Sequence, residues 1–271
     1  MNALKMEKKI AVITALLEGS SVRSTERMTG VHRDTICRLL VAVGEHCQTL
    51  LKHKLNCVSA NRIQCDEIYC YVGKKEKRVA IEESDEVGEQ YVFVAMDADT
   101  KLVFSWLVGK RSQVNTHLFI RDVYNRTPWG WCPQITTDGW GPYVPAINAT
   151  FRDSVDYAQL VKIYGSLPAV REGYSPSRFV EAVSKVVTGN PDPMFVSTSC
   201  IERQNLTMRM AMRRFTRLTN AFSKKLGNLK AAVALHFAHY NFCRVHSSLR
   251  ITPAMAAGLA TEVWPLTTLL A

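Results

Sequence analysis

The chain has 271 residues, 47% of them hydrophobic, and a formal net charge of +10. That apolar content suits a packed core and sets aside a disordered chain. No apolar run approaches the roughly 18–20 residues that a membrane-spanning helix needs. No signal-peptide core follows the lysine-bearing first residues, so a cytoplasmic protein with no membrane partner is expected. Eight cysteines without a C-x-x-C pair predict free thiols rather than zinc or a disulfide framework. The charge is concentrated. Between Cys200 and Arg250 stand ten Lys or Arg against one acid, Glu202, so nearly all of the net charge lies there. A segment of that kind suits a phosphate-backbone partner better than a bare solvated helix face.

In chain order, residues 1–50 read as helices. Ile10, Ile13, Leu16 and Leu17 recur at helical spacing, and Gly19 with Ser20 or Ser21 ends one helix and caps the next. A short helix from about Val22 to Met28 precedes a tight turn, Thr29-Gly30-Val31. A third helix then carries Ile36, Leu39, Leu40 and Val43. This is the helix-turn-helix layout, with Arg33, Thr35 and Arg38 where a recognition helix meets base edges. A plain three-helix packing unit is the competing interpretation. Residues 51–60 read as a linker. Strands follow at Arg62–Val72, Gln90–Met96 and Leu102–Val108, then a helix at about Val114–Asn125 and a short strand, Pro133–Thr137. A helix near Pro142–Thr150 and a fifth strand, Val155–Ile163, complete a mixed α/β pattern. An irregular insertion at about 165–195 is expected to hold a short helix, Ser177–Val187. Two long helices, Ser199–Leu218 and Phe222–Cys243, close a domain of residues 61–250, and 251–271 form a tail.

Three carboxylates stand out. Asp66 lies inside the first strand, where a buried acid needs a partner or a metal, and Glu67 beside it must point to the other face. Asp138 ends a strand at an Asp-Gly turn, a good place for a ligand and also an ordinary turn. Glu202 opens a long helix. Ser199-Cys200-Ile201-Glu202 fits a capping box, yet Glu202, Asn205, Arg209 and Arg213 also form one polar stripe, separate from the apolar face of Ile201, Met208, Met212 and Phe215. Oxygen ligands at such places suit two Mg²⁺ ions about 3.5–4 Å apart. Of the other acids, Asp97 and Asp99 fit a hairpin turn and Asp122 a helix surface, while Asp153 and Asp156 stay open.

At these residues the chain resembles the DDE transposases of bacterial insertion sequences, particularly the insertion-sequence-one family. The strings that carry the resemblance are CDEIYCYVGKK, TTDGWGPY, STSCIERQNLTMRMAMRRFTRLTNAFSKK and HYNFCRVHSSLRITPAMA. Many members begin with a cysteine zinc ribbon that is not seen here. The resemblance implies a ribonuclease-H-like catalytic fold, here a mixed five-stranded sheet flanked by helices behind an all-α helix-turn-helix domain. It places Asp66, Asp138 and Glu202 as catalytic metal ligands for Mg²⁺, with Mn²⁺ as a substitute. Arg203, Asn205 and Arg209 are implied DNA contacts, and Arg213, Arg214 and Arg217 continue the basic helix. The expected activity is binding of element ends in double-stranded DNA, cleavage there, and transfer of the 3′-hydroxyl strands to target DNA by a homodimer or higher oligomer. A ribonuclease-H-like nuclease and a catalytically inactive DNA-binding regulator are the alternatives.

Overall fold

The computed structural model describes residues 4–165, 178–216 and 219–270. Three helices come first: α1 (Met6–Leu17), α2 (Val22–Thr29) and α3 (Arg33–Lys54). The Ser21 hydroxyl caps α2 by accepting from the Ser24 N–H at 3.0 Å. Gly30 ends α2 at φ +68°, a left-handed conformation that favours glycine. Glu26 then accepts the Arg33 N–H at 2.9 Å and so caps the start of α3 from outside. Residues 51–60, expected as a linker, contain the last turn of α3 and the buried Leu55, Val58 and Ala60.

The sheet has strands β1 (Arg62–Val72), β2 (Gly88–Asp97), β3 (Val103–Gly109), β4 (Gln134–Thr137), β5 (Asp156–Gly165) and β6 (Arg178–Thr188). Their spatial order is β3-β2-β1-β4-β5-β6. The β1–β2, β2–β3 and β5–β6 pairs are antiparallel, and β1–β4 and β4–β5 are parallel. The mixed α/β sheet therefore has six strands rather than the expected five, because the helix expected at Ser177–Val187 is β6. The apolar residues of that stretch fit either period. Pairing with β5 and the β-branched Val180, Val183, Val186 and Val187 settle it as strand.

Helices α4 (Gln113–Arg126) and α5 (Tyr143–Phe151) cover one face of the sheet. There Phe93 of β2 packs on Phe119 of α4, with ring centroids 5.6 Å apart. Helices α6 (Ser199–Ala211) and α7 (Leu226–Ala238) cover the other, where Trp106 meets Phe237. The long helices expected at Ser199–Leu218 and Phe222–Cys243 are both shorter. The chain leaves α6 at Met212, which is extended, and a 3-10 turn at Arg213–Phe215 keeps Met212 and Phe215 in the core. A π-helical turn, His239–Cys243, follows α7, and α8 (Pro253–Ala256) packs beside it.

One hydrophobic cluster joins Leu40, Val43, Cys47 and Leu51 of α3 to the sheet and to α7. Gly44 makes this close: a Cβ there would lie 2.5 Å from the Cα of Ala231. A small second cluster of Val12, Val31 and Ile36 holds the first three helices together. No helix of the chain's described residues is long and apolar enough to cross a membrane.

Candidate active site and nucleic-acid interface

Strand β4 pairs with β1 only from Arg62 to Cys65 and ends at Thr137. Strand β1 runs on, so Asp66 is its first residue beyond β4 and Asp138 is the first residue after β4. The two acids meet at a notch in the sheet. Alternation puts Asp66 and Glu67 on opposite faces. Glu67 lies opposite Phe93, on the α4 side, while Asp66 lies opposite Val94 and faces α6. At the notch both faces are open to Asp138. One carboxylate oxygen from each of Asp66, Glu67 and Asp138 lies within 4.8 Å of the others.

Each acid is held in place. Asp66 accepts the Glu67 N–H at 2.8 Å and the Asn205 side-chain amide at 2.8 Å. Burial, then the Asp138 charge, pushes its pKa up to about 6; the Glu67 N–H opposes this. The Glu67 side chain is 2% exposed and pairs with Arg111 at 3.1 Å. Burial and the Asp138 charge push Glu67 up to about 7, against the Tyr143 hydroxyl and Arg111. Asp138 accepts the Trp140 N–H at 3.0 Å, an Asx-type turn, and sits 3.4 Å from the Arg111 guanidinium. That guanidinium lies 4.0 Å from the centroid of the Trp140 ring.

Glu202 reaches the same side through the docking of α6. Gln64 and Asp66, two residues apart on one face of β1, accept from the Ile201 N–H at 3.0 Å and from Asn205 at 2.8 Å. Glu202 lies between those anchors, near enough for its charge to raise Asp66. Its carboxylate accepts from the Thr198 hydroxyl and the Lys162 ammonium. The helix N-cap is Thr198 rather than Ser199, which puts Ile201 at the third helical position, so the expected S-x-x-E capping box does not form and the Thr198 side chain caps no backbone N–H.

Of the two acids left open, Asp153 is exposed in the turn between α5 and β5, and Asp156 and the assigned acids have partners elsewhere. Asp97 binds Thr100, Asp99 binds Arg62, and Asp122 binds Ser105 and Arg126. Asp156 accepts the Asn190 N–H at 2.7 Å, at the end of β5 paired with Gln134 and so away from the notch. The donor set at the notch is made of hard carboxylate oxygens, one of which, Glu67 Oε1, is buried without a hydrogen-bond partner. Burial first, and then the Asp138 charge, raise both Asp66 and Glu67, and Arg111 offsets this only in part at Glu67. Those residues fit a divalent cation of the Mg²⁺ or Mn²⁺ type.

A second feature is a cleft of about 1820 Å³ between the helical N-terminal region and the sheet domain. Arg33 and Arg38 stand on its α3 wall. Lys75, Lys77 and Arg78, just after β1, and Lys224 and Lys225, just before α7, stand on the others. None of these seven cations forms a salt bridge among the described residues, and the lining holds only two acids, Asp34 and Glu45. Unpaired like charges around one cavity repel and favour a polyanionic occupant. Sequence reasoning missed Lys75, Lys77 and Arg78, although the run KKEKR was visible.

The other expected DNA contacts scatter. Thr35 is half-buried and accepts from Arg38 at 3.4 Å. Arg203 is exposed, Arg209 is half-buried, and Asn205 is buried against Asp66. Arg213 is exposed and lines the cleft, but it lies beyond the end of α6 and so not on the polar stripe expected there. Arg214 also lines the cleft, with its guanidinium donating to Ser223 Oγ and the Asn228 carbonyl, both at 2.9 Å. Arg217 lies outside the described residues.

No family model and no curated protein sequence matches the chain. Solved structures with some similarity include a piggyBac transposase synaptic complex with hairpin DNA. That match has a TM-score of 0.38 and 11% identity, covering 100% of this chain and 71% of that one. The Mos1 strand transfer complex matches with a TM-score of 0.26 and 11% identity, covering 58% of this chain and 59% of that one. The Mos1 mariner paired end complex with Mn has a TM-score of 0.22 and 13% identity, covering 56% and 58%. The chain thus spans under two thirds of the Mos1 chains.

Proposed function

We propose that the chain is a DNA transposase of the DDE type, related to the insertion-sequence-one family, with a ribonuclease-H-like catalytic domain at about residues 61–250. One observation carries this: Asp66 and Asp138 meet at the sheet notch while α6, pinned to β1 through Gln64 and Asp66, brings Glu202 to the same side. A pair of Mg²⁺ ions bound there would activate a water or 3′-hydroxyl and steady the leaving oxygen. Asp66, Asp138 and Glu202 would hold them. Asn205 orients Asp66, the Asp138 turn is fixed by Trp140, and Lys162 must release Glu202.

The helix-turn-helix at residues 1–50 would read element ends through Arg33, Thr35 and Arg38. The cleft cations would take the phosphate backbone, and the arginines of the α6 region would add contacts. Two ends brought together need at least two copies. The experiment is a metal-dependent cleavage and joining assay on a labelled element end with Mg²⁺ or Mn²⁺. The expected result is cleavage and joining by the wild type and neither by Asp66→Ala, Asp138→Ala or Glu202→Ala. Cleavage without joining would leave the nuclease alternative; DNA binding without either would leave the regulator.

The tight Asp66–Glu67–Asp138 cluster favours a second ligand set, with Glu67 in place of Glu202. Glu67→Gln and Glu202→Gln separate the two. The proposed triad needs the second change to be the more damaging.

A further inference from the structure

The two edges of the sheet are treated differently. At the β3 edge, the Asn241 side chain accepts the Val103 N–H at 3.1 Å and donates to the Val103 carbonyl at 2.7 Å. That amide takes the place of a neighbouring strand at Val103. At the opposite edge, β6 has no strand on its outer side among the described residues. Its side chains are exposed on both faces: Val180 at 57%, Val183 at 43% and Val186 at 57%. An exposed edge strand of this composition invites pairing unless something covers it.

The sequence of β6 says what covers it. Around Val183 the strand is a palindrome in chemistry. Val180 mirrors Val186, Glu181 mirrors Lys185, and Ala182 mirrors Ser184. Two copies running antiparallel about a two-fold axis at Val183 would set each Glu181 opposite the Lys185 of the other copy. Valine would then face valine, and the small residues would face each other. An isologous interface demands this self-complementarity. Within one chain the charges cannot meet, because residues four apart on a strand are separated by roughly 13 Å. Their β5 partners are Ile163 and Gln159, which carry no charge. Neither Glu181 nor Lys185 forms a salt bridge among the described residues. Bulges at Val180 and Val187 frame the regular stretch Glu181–Val186, so the regular pairs about the axis are Glu181 with Lys185, Ala182 with Ser184 and Val183 with Val183.

We infer that β6 is a self-association edge: a second copy of this chain adds its β6 antiparallel to the first, centred on Val183, so that one sheet runs through both protomers. This names the surface for the oligomer invoked under the proposed function, and it is testable without DNA or metal. Sedimentation velocity on the full chain should give a dimer. In E181K or K185E, two attractive cross-strand pairs become two repulsive ones, which weakens the dimer roughly tenfold or more in Kd. An equimolar mixture of the two single variants should recover self-association, because the charges are then complementary again. The E181K/K185E double variant should recover it alone. V183D should be monomeric. If V183D fails to fold, the charge variants, which alter only exposed positions, still decide. A monomeric wild type would mean that the two charges serve to blunt the edge, and would overturn the inference. Single variants that dimerise like wild type would overturn it equally. Neither outcome touches the catalytic proposal, which stands or falls on metal-dependent cleavage and joining.

Discussion

The acids borne by strands and the acid borne by a helix are held in opposite ways. Asp66, Glu67 and Asp138 sit on rigid backbone at the notch, with one cation, Arg111, among three carboxylates. Glu202 sits on α6 with a cation and a hydroxyl of its own, Lys162 and Thr198. The strand half is crowded and short of positive charge, whereas the helix half is neutralised in advance. The strand acids therefore create the demand for a divalent ion, and Glu202 must exchange one cation for another to take part.

The largest expected effect breaks the strand half outright. Asp66→Ala or Asp138→Ala should reduce metal-dependent cleavage by at least about a thousandfold, since electrostatic stabilisation is the main catalytic contribution in phosphoryl transfer. Thermal stability in metal-free buffer should fall little in either variant, because the relieved repulsion offsets the hydrogen bonds lost to Asn205 and to the Trp140 N–H. Next comes Arg111→Ala, which leaves Glu67 buried without its partner. It should cost on the order of 2–4 kcal/mol in denaturant unfolding, and Glu67→Gln in the same chain should restore most of that loss.

A pH experiment sharpens the contrast further. The folded pKa of Asp66 is about 6 against 3.8, and that of Glu67 about 7 against 4.5. Both are raised acids, so their favourable contribution is present at low pH, where they are protonated. It is lost as pH climbs through about 6 and about 7. Asp66 alone accounts for up to roughly 3 kcal/mol by linkage. Buried His236 works in the opposite sense: its folded value is lowered to about 3, so stability is lost as pH falls below 6.5. The difference between wild type and Asp66→Asn isolates the acid. Between pH 5 and 8, metal-free wild type should lose more stability than the variant, and millimolar Mg²⁺ should reverse the loss at pH 8. A flat difference curve would contradict the crowded-acid account. On the helix side, Lys162→Met should tighten Mg²⁺ binding several-fold by calorimetry, because Glu202 no longer has to be released. The smallest effect belongs to Thr198→Ala, about 0.5–1 kcal/mol of stability.

Much of this was legible in the residues. Alternation in RIQCDEIYCYV gave β1 and its two faces, and the Asp-Gly after QITT marked the end of β4. The notch itself was not legible, because it depends on β4 being shorter than β1, a matter of pairing between distant segments. For that reason Glu67, assigned to the far face, still comes within reach of Asp138. The β6 stretch was ambiguous because RFVEAVSKVVT satisfies a helical spacing and a strand composition together. The end of α6 depended on a 3-10 turn chosen by core packing of Met212 and Phe215. The cleft cations were legible only as a charge run, since the facing wall lies on α3.

Helix α3 is the longest among the described residues, 22 residues and so about 33 Å from end to end. Its first turn carries Arg33 at the cleft, and beyond Gly44 it lies flush against α7. No joint separates the two ends. The helix is therefore a ruler. Whatever its first turn grips is held at a set distance and rotation from Asp66, and one residue inserted before Gly44 would swing that grip by about 100° while leaving the acids where they are.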